Sequence, residues 1–80
     1  MNSLTVFVRN SSGSPATGAK VNYEVGGGIS CVGGGSPVYT DNSGRAVITW
    51  SSGCKCTYIY INGKAHKGNY QNGGTYNFSK

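Results

Sequence analysis

Glu24, Asp41 and His66 are the only side chains of their types in this chain of 80 residues, so any acid–base chemistry must be built from these three. Hydrolysis by paired carboxylates needs two acids at a set spacing. Glu24 falls in a segment of strand character and Asp41 in a turn, so no pair is expected. A Ser–His–Asp triad would combine Asp41 and His66 with one of the serines, but no G-x-S-x-G turn presents a nucleophile. The glycine triplets at 26–28 and 33–35 lack the G-x-x-x-x-G-K-[ST] spacing and open no helix, which rules against a phosphate loop. Asp41-Asn42-Ser43-Gly44 lacks the additional carboxylates of a calcium loop. The expectation is a protein that is not an enzyme, with no catalytic residues, no metal and no cofactor.

Three cysteines, Cys31, Cys54 and Cys56, allow several chemistries. Free thiols that pack as small hydrophobes or lie at a strand end are the first. A Cys31–Cys54 or Cys31–Cys56 disulfide is the second; it would tie the glycine-rich segment to a sheet and stabilise a small core. With His66 the cysteines also count as a Cys₃His zinc set. That set fits poorly, because Cys54-Lys55-Cys56 has a one-residue gap and Cys31 lies far upstream. An odd cysteine count leaves at least one thiol outside any internal disulfide.

Aromatic residues offer the clearest binding chemistry. Six tyrosines and one tryptophan occur in a chain only 36% hydrophobic. If Ile59 and Ile61 face a core, Tyr58 and Tyr60 face outward, with Lys64 and His66 on the returning strand. Such a face is a stacking platform for sugars or bases, or a set of cross-strand pairs that stabilise the sheet. Trp50 continues the Ala46–Ile48 face and is expected in the core.

These residues need strands to hold them. Leu4 to Arg9 alternates with a period of two, as do Ala19 to Val25 and Arg45 to Trp50. Cys54 to Ile61 reads as the longest strand. Asn62-Gly63 is a type I′ hairpin signal, and Lys64 to Lys67 is the returning strand. Gly68 to Gly74 reads as a loop and Thr75 to Ser79 as the last strand, with Tyr76 and Phe78 inward. Ile29 to Val32 is expected as a short edge strand between glycine connectors, and Pro37 to Thr40 as extended chain. Asp41 to Gly44 has type I turn chemistry. No segment has helical periodicity. The fold expected is all-β: one small two-sheet sandwich of about seven short strands spanning residues 1–80.

Composition agrees with that fold. Fourteen glycines oppose helix formation, and valine, isoleucine, threonine and tyrosine suit a pleated surface. The net charge of +5 is dispersed over Arg9, Lys20, Arg45, Lys55, Lys64, Lys67 and Lys80. A basic balance favours an anionic partner, although dispersed charge also serves solubility alone. The expected partner is a protein or glycan surface, with single-stranded nucleic acid on the same tyrosine face as the alternative. No stretch approaches a membrane span. Met1 to Leu4 enters the strand pattern without the basic segment and apolar run of a signal peptide.

Three segments carry a family resemblance. Ser14-Pro15-Ala16-Thr17-Gly18-Ala19-Lys20-Val21 lies between the first two strands. Thr40-Asp41-Asn42-Ser43-Gly44-Arg45-Ala46 follows, and then the glycine-turned hairpin Tyr58 to Lys67. Their order resembles the transthyretin-like, carboxypeptidase regulatory-like sandwich domains (prealbumin-like) and, more loosely, bacterial Ig-like modules. The resemblance implies an accessory, adhesive or binding module at a surface or outside the cell. Some relatives form a Lys–Asn isopeptide bond from a first-strand lysine, which Leu4 to Arg9 lacks. At Gly18-Ala19 a larger residue is expected to clash with the entry into the second strand. Asp41 is expected to accept N–H groups across its turn while Gly44 adopts positive φ.

Overall fold

Alternating apolar side chains along short segments need a second layer to cover them, and a two-sheet sandwich supplies it. The computed structural model describes residues 1–27, 31 and 37–80 of the chain. Seven strands form among the described residues: β1 Asn2–Arg9, β2 Lys20–Gly26, β3 Val38–Tyr39, β4 Arg45–Trp50, β5 Lys55–Ile61, β6 Lys64–Tyr70 and β7 Thr75–Ser79. They make a three-stranded sheet in the order β4-β1-β7 and a four-stranded sheet in the order β3-β2-β5-β6. No helix occurs among the described residues. The edge strand expected over Ile29 to Val32 lies outside the described residues, save for Cys31.

The first sheet turns Leu4, Val6, Val8, Ala46, Ile48 and Trp50 inward, and all are buried. Across from them the second sheet contributes Val21, Cys56, Ile59 and Ile61. A fully buried valine, leucine or isoleucine contributes about 1.5–3 kcal/mol by leaving water, so this small set dominates the stability. Tyr23 spans the layers, its hydroxyl donating to the Thr49 carbonyl at 2.7 Å. β1 pairs antiparallel with β4 and parallel with β7. The chain therefore ends beside the strand on which it begins.

Strand β5 departs from simple alternation. Its register shifts between Cys56 and Tyr58 against β6, and the matching shift on β2 falls between Glu24 and Val25. Thr57 is the extra residue against β2, whereas against β6 the extra residue lies on β6, where Gly68 and Asn69 stand opposite Thr57 alone. A regular strand would place Cys56 on the face of Tyr58 and Tyr60. The bulge instead puts Cys56 inward with Ile59 and Ile61.

Strand β6 runs on to Tyr70, so the loop expected over Gly68 to Gly74 shrinks to its second half. The Tyr70 ring explains the strand's passage through a glycine. It folds back over Gly68, where a β-carbon would stand 2.9 Å from Cζ, and its hydroxyl donates to the His66 carbonyl at 2.9 Å. The Tyr76 ring covers Gly74 in the same way, and the two rings meet edge to face at 4.9 Å.

The connections follow the turn chemistry. Asn62 and Gly63 both have positive φ, as a type I′ hairpin requires. Asp41 Oδ1 accepts the N–H groups of Ser43 at 2.9 Å and Arg45 at 3.0 Å. These bonds, led by the one from Arg45, hold its carboxyl below the usual range. Buried Thr40 joins two connections: its hydroxyl accepts the Ala19 N–H at 2.9 Å and donates to the Ala16 carbonyl. At Gly18 the expected clash is absent. A β-carbon there would meet nothing within 4 Å, and the demand for glycine comes from φ of +71°.

Candidate functional site

Opposed residues in a sheet share a face, so the pairing register decides which expected site residues meet. In the four-stranded sheet Asn22 pairs with Tyr60 and Tyr60 with Ala65, while Glu24 pairs with Tyr58 and Tyr58 with Lys67. Lys20 pairs with Tyr39 on the other side of β2. The outer face therefore carries Tyr39, Tyr58 and Tyr60 with Lys20, Asn22, Glu24 and Lys67. Tyr23, Tyr70 and Tyr76 serve the interior instead.

Tyr58 and Tyr60 lie nearly parallel, with centroids 6.0 Å apart and 18° between planes. The Tyr60 hydroxyl donates to Glu24 Oε2 at 2.8 Å, which fixes the ring from across the sheet. That bond to a carboxylate, with some desolvation, holds the Tyr60 phenol above its usual range. Tyr39 is 61% exposed at the edge strand. Beside Tyr60, a cleft of about 220 Å³ is lined by Lys20, Asn22, Tyr60 and Gly63. Asn22, in the lining of this cleft, accepts the Tyr23 N–H on its Oδ1 at 2.9 Å, a bond that does not use its amide nitrogen. Asn62 Oδ1 accepts the Lys20 N–H at 3.0 Å and the Asn62 N–H donates to the Lys20 carbonyl at 2.8 Å. The Lys20 backbone is thereby pinned and its side chain left to the surface.

Lys64 and His66 do not join this face. The hairpin pairs Ile61 with Lys64 and Ile59 with His66, which puts both on the side of the core isoleucines. Lys64 is exposed at the hairpin end. His66 packs tilted against Phe78 at 4.9 Å, and its Nε2 is buried with no hydrogen-bond partner among the described residues. Lys67 and Ala65 occupy the positions across from the tyrosines.

The cysteines are divided between two roles. Cys31 and Cys54 form a disulfide with Cα atoms 5.6 Å apart, and Cys56 is a buried free thiol. Of the readings left open by the sequence, the Cys31–Cys54 bridge is the one observed, and the free-thiol reading holds for Cys56 alone. Burial pushes the Cys56 thiol up to about 11. Trp50 is buried, and its indole N–H donates to the Cys54 carbonyl at 3.0 Å. Among the described residues, no three His, Cys, Asp or Glu side chains are grouped to hold a metal. Nor does any helix among them have the length and apolarity to cross a membrane.

A second cleft, of about 280 Å³, lies at the opposite end of β5 and includes Asn2, Lys55, Asn69, Gln71 and Asn72 in its lining. Sequence reasoning missed it because Asn2 and the 69–72 segment meet only through the fold. The Ser3 N–H, donating to Asn72 Oδ1 at 2.9 Å, holds them together. Tyr39 was missed as a member of the outer face for the same reason. Strand alternation places Lys20 with Asn22 and Glu24 on one face of β2, and only the pairing of β2 with β3 and β5 brings that face beside the tyrosines. No family model matches the chain, and no curated protein matches it.

Proposed function

We propose that this chain is a non-catalytic binding module that contacts a protein or glycan surface through the outer face of its four-stranded sheet. The observation that carries the reading is the Tyr58–Tyr60 pair, held parallel on the outer face and braced by Glu24. A preorganised aromatic pair with a cleft at its side can gain contact area at small entropic cost. The resemblance of the turn order to transthyretin-like accessory domains supports a binding role, as does the scarcity of acid–base groups. The Cys31–Cys54 disulfide supports an oxidising location, where such bonds persist.

The test is a panel of immobilised glycans and surface proteins, probed with the wild-type chain and with a Tyr58→Ala/Tyr60→Ala double variant. Both tyrosines point away from the core, so the variant should retain most of its stability. Retention of the wild type and loss of the variant are expected. Equal retention of both, or no retention of the wild type by any member, would overturn the proposal.

A further inference from the structure

The cleft beside Tyr60 has a chemistry that narrows the ligand. We infer that it takes one ring of an acidic saccharide, the sugar resting against Tyr60 and its carboxylate or sulfate meeting Lys20. The inference rests on the outer-face reading above and adds the ligand class.

Size argues first. At about 220 Å³ the cleft is smaller than the roughly 300–1,000 Å³ of pockets for drug-sized ligands. It suits a single ring. Its lining then supplies the functions a sugar needs: an aromatic surface from Tyr60, an amide donor from Asn22 and a cation from Lys20. The Tyr60 hydroxyl donates its hydrogen bond to Glu24, so its oxygen remains an acceptor for a sugar hydroxyl.

Charge argues second. The chain has seven cations and two acids. Both acids are engaged within the fold, Glu24 by the Tyr60 hydroxyl and Asp41 by the N–H groups of its own turn. Lys20, with its backbone tied to Asn62, is exposed and is the cation in the cleft's lining. A nucleic-acid strand fits less well. It would follow a groove of several nucleotides lined with cations, whereas this cleft is sized for one ring and has a single cation, Lys20, in its lining.

The experiment is a titration of the isotope-labelled, disulfide-intact chain, followed by its amide signals. The probes are a glucuronic-acid-terminated disaccharide, its glucose-terminated counterpart and a single-stranded oligothymidylate. The acidic disaccharide should move the signals of Lys20, Asn22, Tyr60 and Gly63, and the neutral one should bind roughly two- to fivefold more weakly, the range of an exposed ion pair. Lys20→Met should abolish that preference without unfolding the chain. Equal binding of the two sugars, or no movement with either, overturns the inference and leaves the outer-face reading to its own test with the tyrosine variants. Movement confined to Asn2, Asn69 and Asn72 overturns both. A response to the oligothymidylate alone overturns the saccharide in favour of nucleic acid.

Discussion

Gly44 lies beneath the carbonyl of Val8, so closely that a β-carbon on Gly44 would stand 2.5 Å from that oxygen. The Val8 N–H donates to the Gly44 carbonyl at 2.8 Å, and the Ala16 N–H to the Val8 carbonyl at 2.9 Å. The turn before β4 is thus fastened to the end of β1. Gly18 shares the positive φ of Gly44 but faces open space. Gly18→Ala is expected to cost about 1–2 kcal/mol, the strain of the left-handed conformation. Gly44→Ala should cost about 3 kcal/mol or more, because a backbone clash is added. Denaturant midpoints of the two variants measure the difference, and equal losses would show that the close approach to Val8 is unimportant.

Thr40 is the second fastener. Thr40→Val keeps the shape but leaves the Ala19 N–H and the Ala16 carbonyl without their hydroxyl partner. The expected loss is about 1–3 kcal/mol. Thr40→Ser should recover most of it, since the hydroxyl returns. A serine variant as unstable as the valine variant would point to lost packing rather than lost hydrogen bonds.

Asp41 gives the fold an acid-sensitive turn. Its carboxyl is held below the ordinary value by the backbone N–H of Arg45 and then of Ser43. A lowered pKa means that the folded state favours the ionised form. The stabilisation is therefore complete above the ordinary carboxylate range and is lost as pH falls through the lowered value. Melting temperatures followed from about pH 6 to pH 2 should fall less for Asp41→Asn than for the wild type. Parallel curves would remove Asp41 from the acid response.

Reactivity separates the cysteines. In the folded protein Cys56 should resist thiol reagents, because it is buried and its thiol titrates only near 11. Denaturation without reductant should release one reactive thiol per chain, and reduction should raise this to three. The Cys31–Cys54 bridge joins residues 23 apart, for which loop-closure entropy gives about 3 kcal/mol. A Cys31→Ser/Cys54→Ser variant should lose stability of that order, read as a lowered denaturant midpoint. Prompt labelling of Cys56 in the folded chain would contradict its burial.

Much of the architecture is legible in the sequence, because Leu4, Val6, Val8, Ala46, Ile48 and Trp50 alternate without interruption and Asn62-Gly63 permits few other turns. Strands β4 and β7 appear at the boundaries the pattern predicts. Strand β6 was less legible. Gly68 looks like a breaker until Tyr70 is seen to cover it, and that cover is a contact of the folded chain. The position of Cys56 depended on a bulge at Thr57, which breaks the period on which face assignments rest. His66 is different: counting back through a two-residue hairpin pairs Ile61 with Lys64 and Ile59 with His66, so its inward side was available from the turn alone. Tyr39 and Lys20 were hidden as neighbours because their pairing joins strands separated by a long connection.

The parallel pairing of β1 with β7 has a mechanical consequence. Thr5 to Arg9 lie in register with Thr75 to Ser79, and the Lys80 N–H closes on the Arg9 carbonyl at 2.7 Å. Tension applied between Met1 and Lys80 would pull these two strands in opposite directions along their length. The ladder bonds between them would bear the load together rather than break in succession, as they would if the strands were peeled from one end.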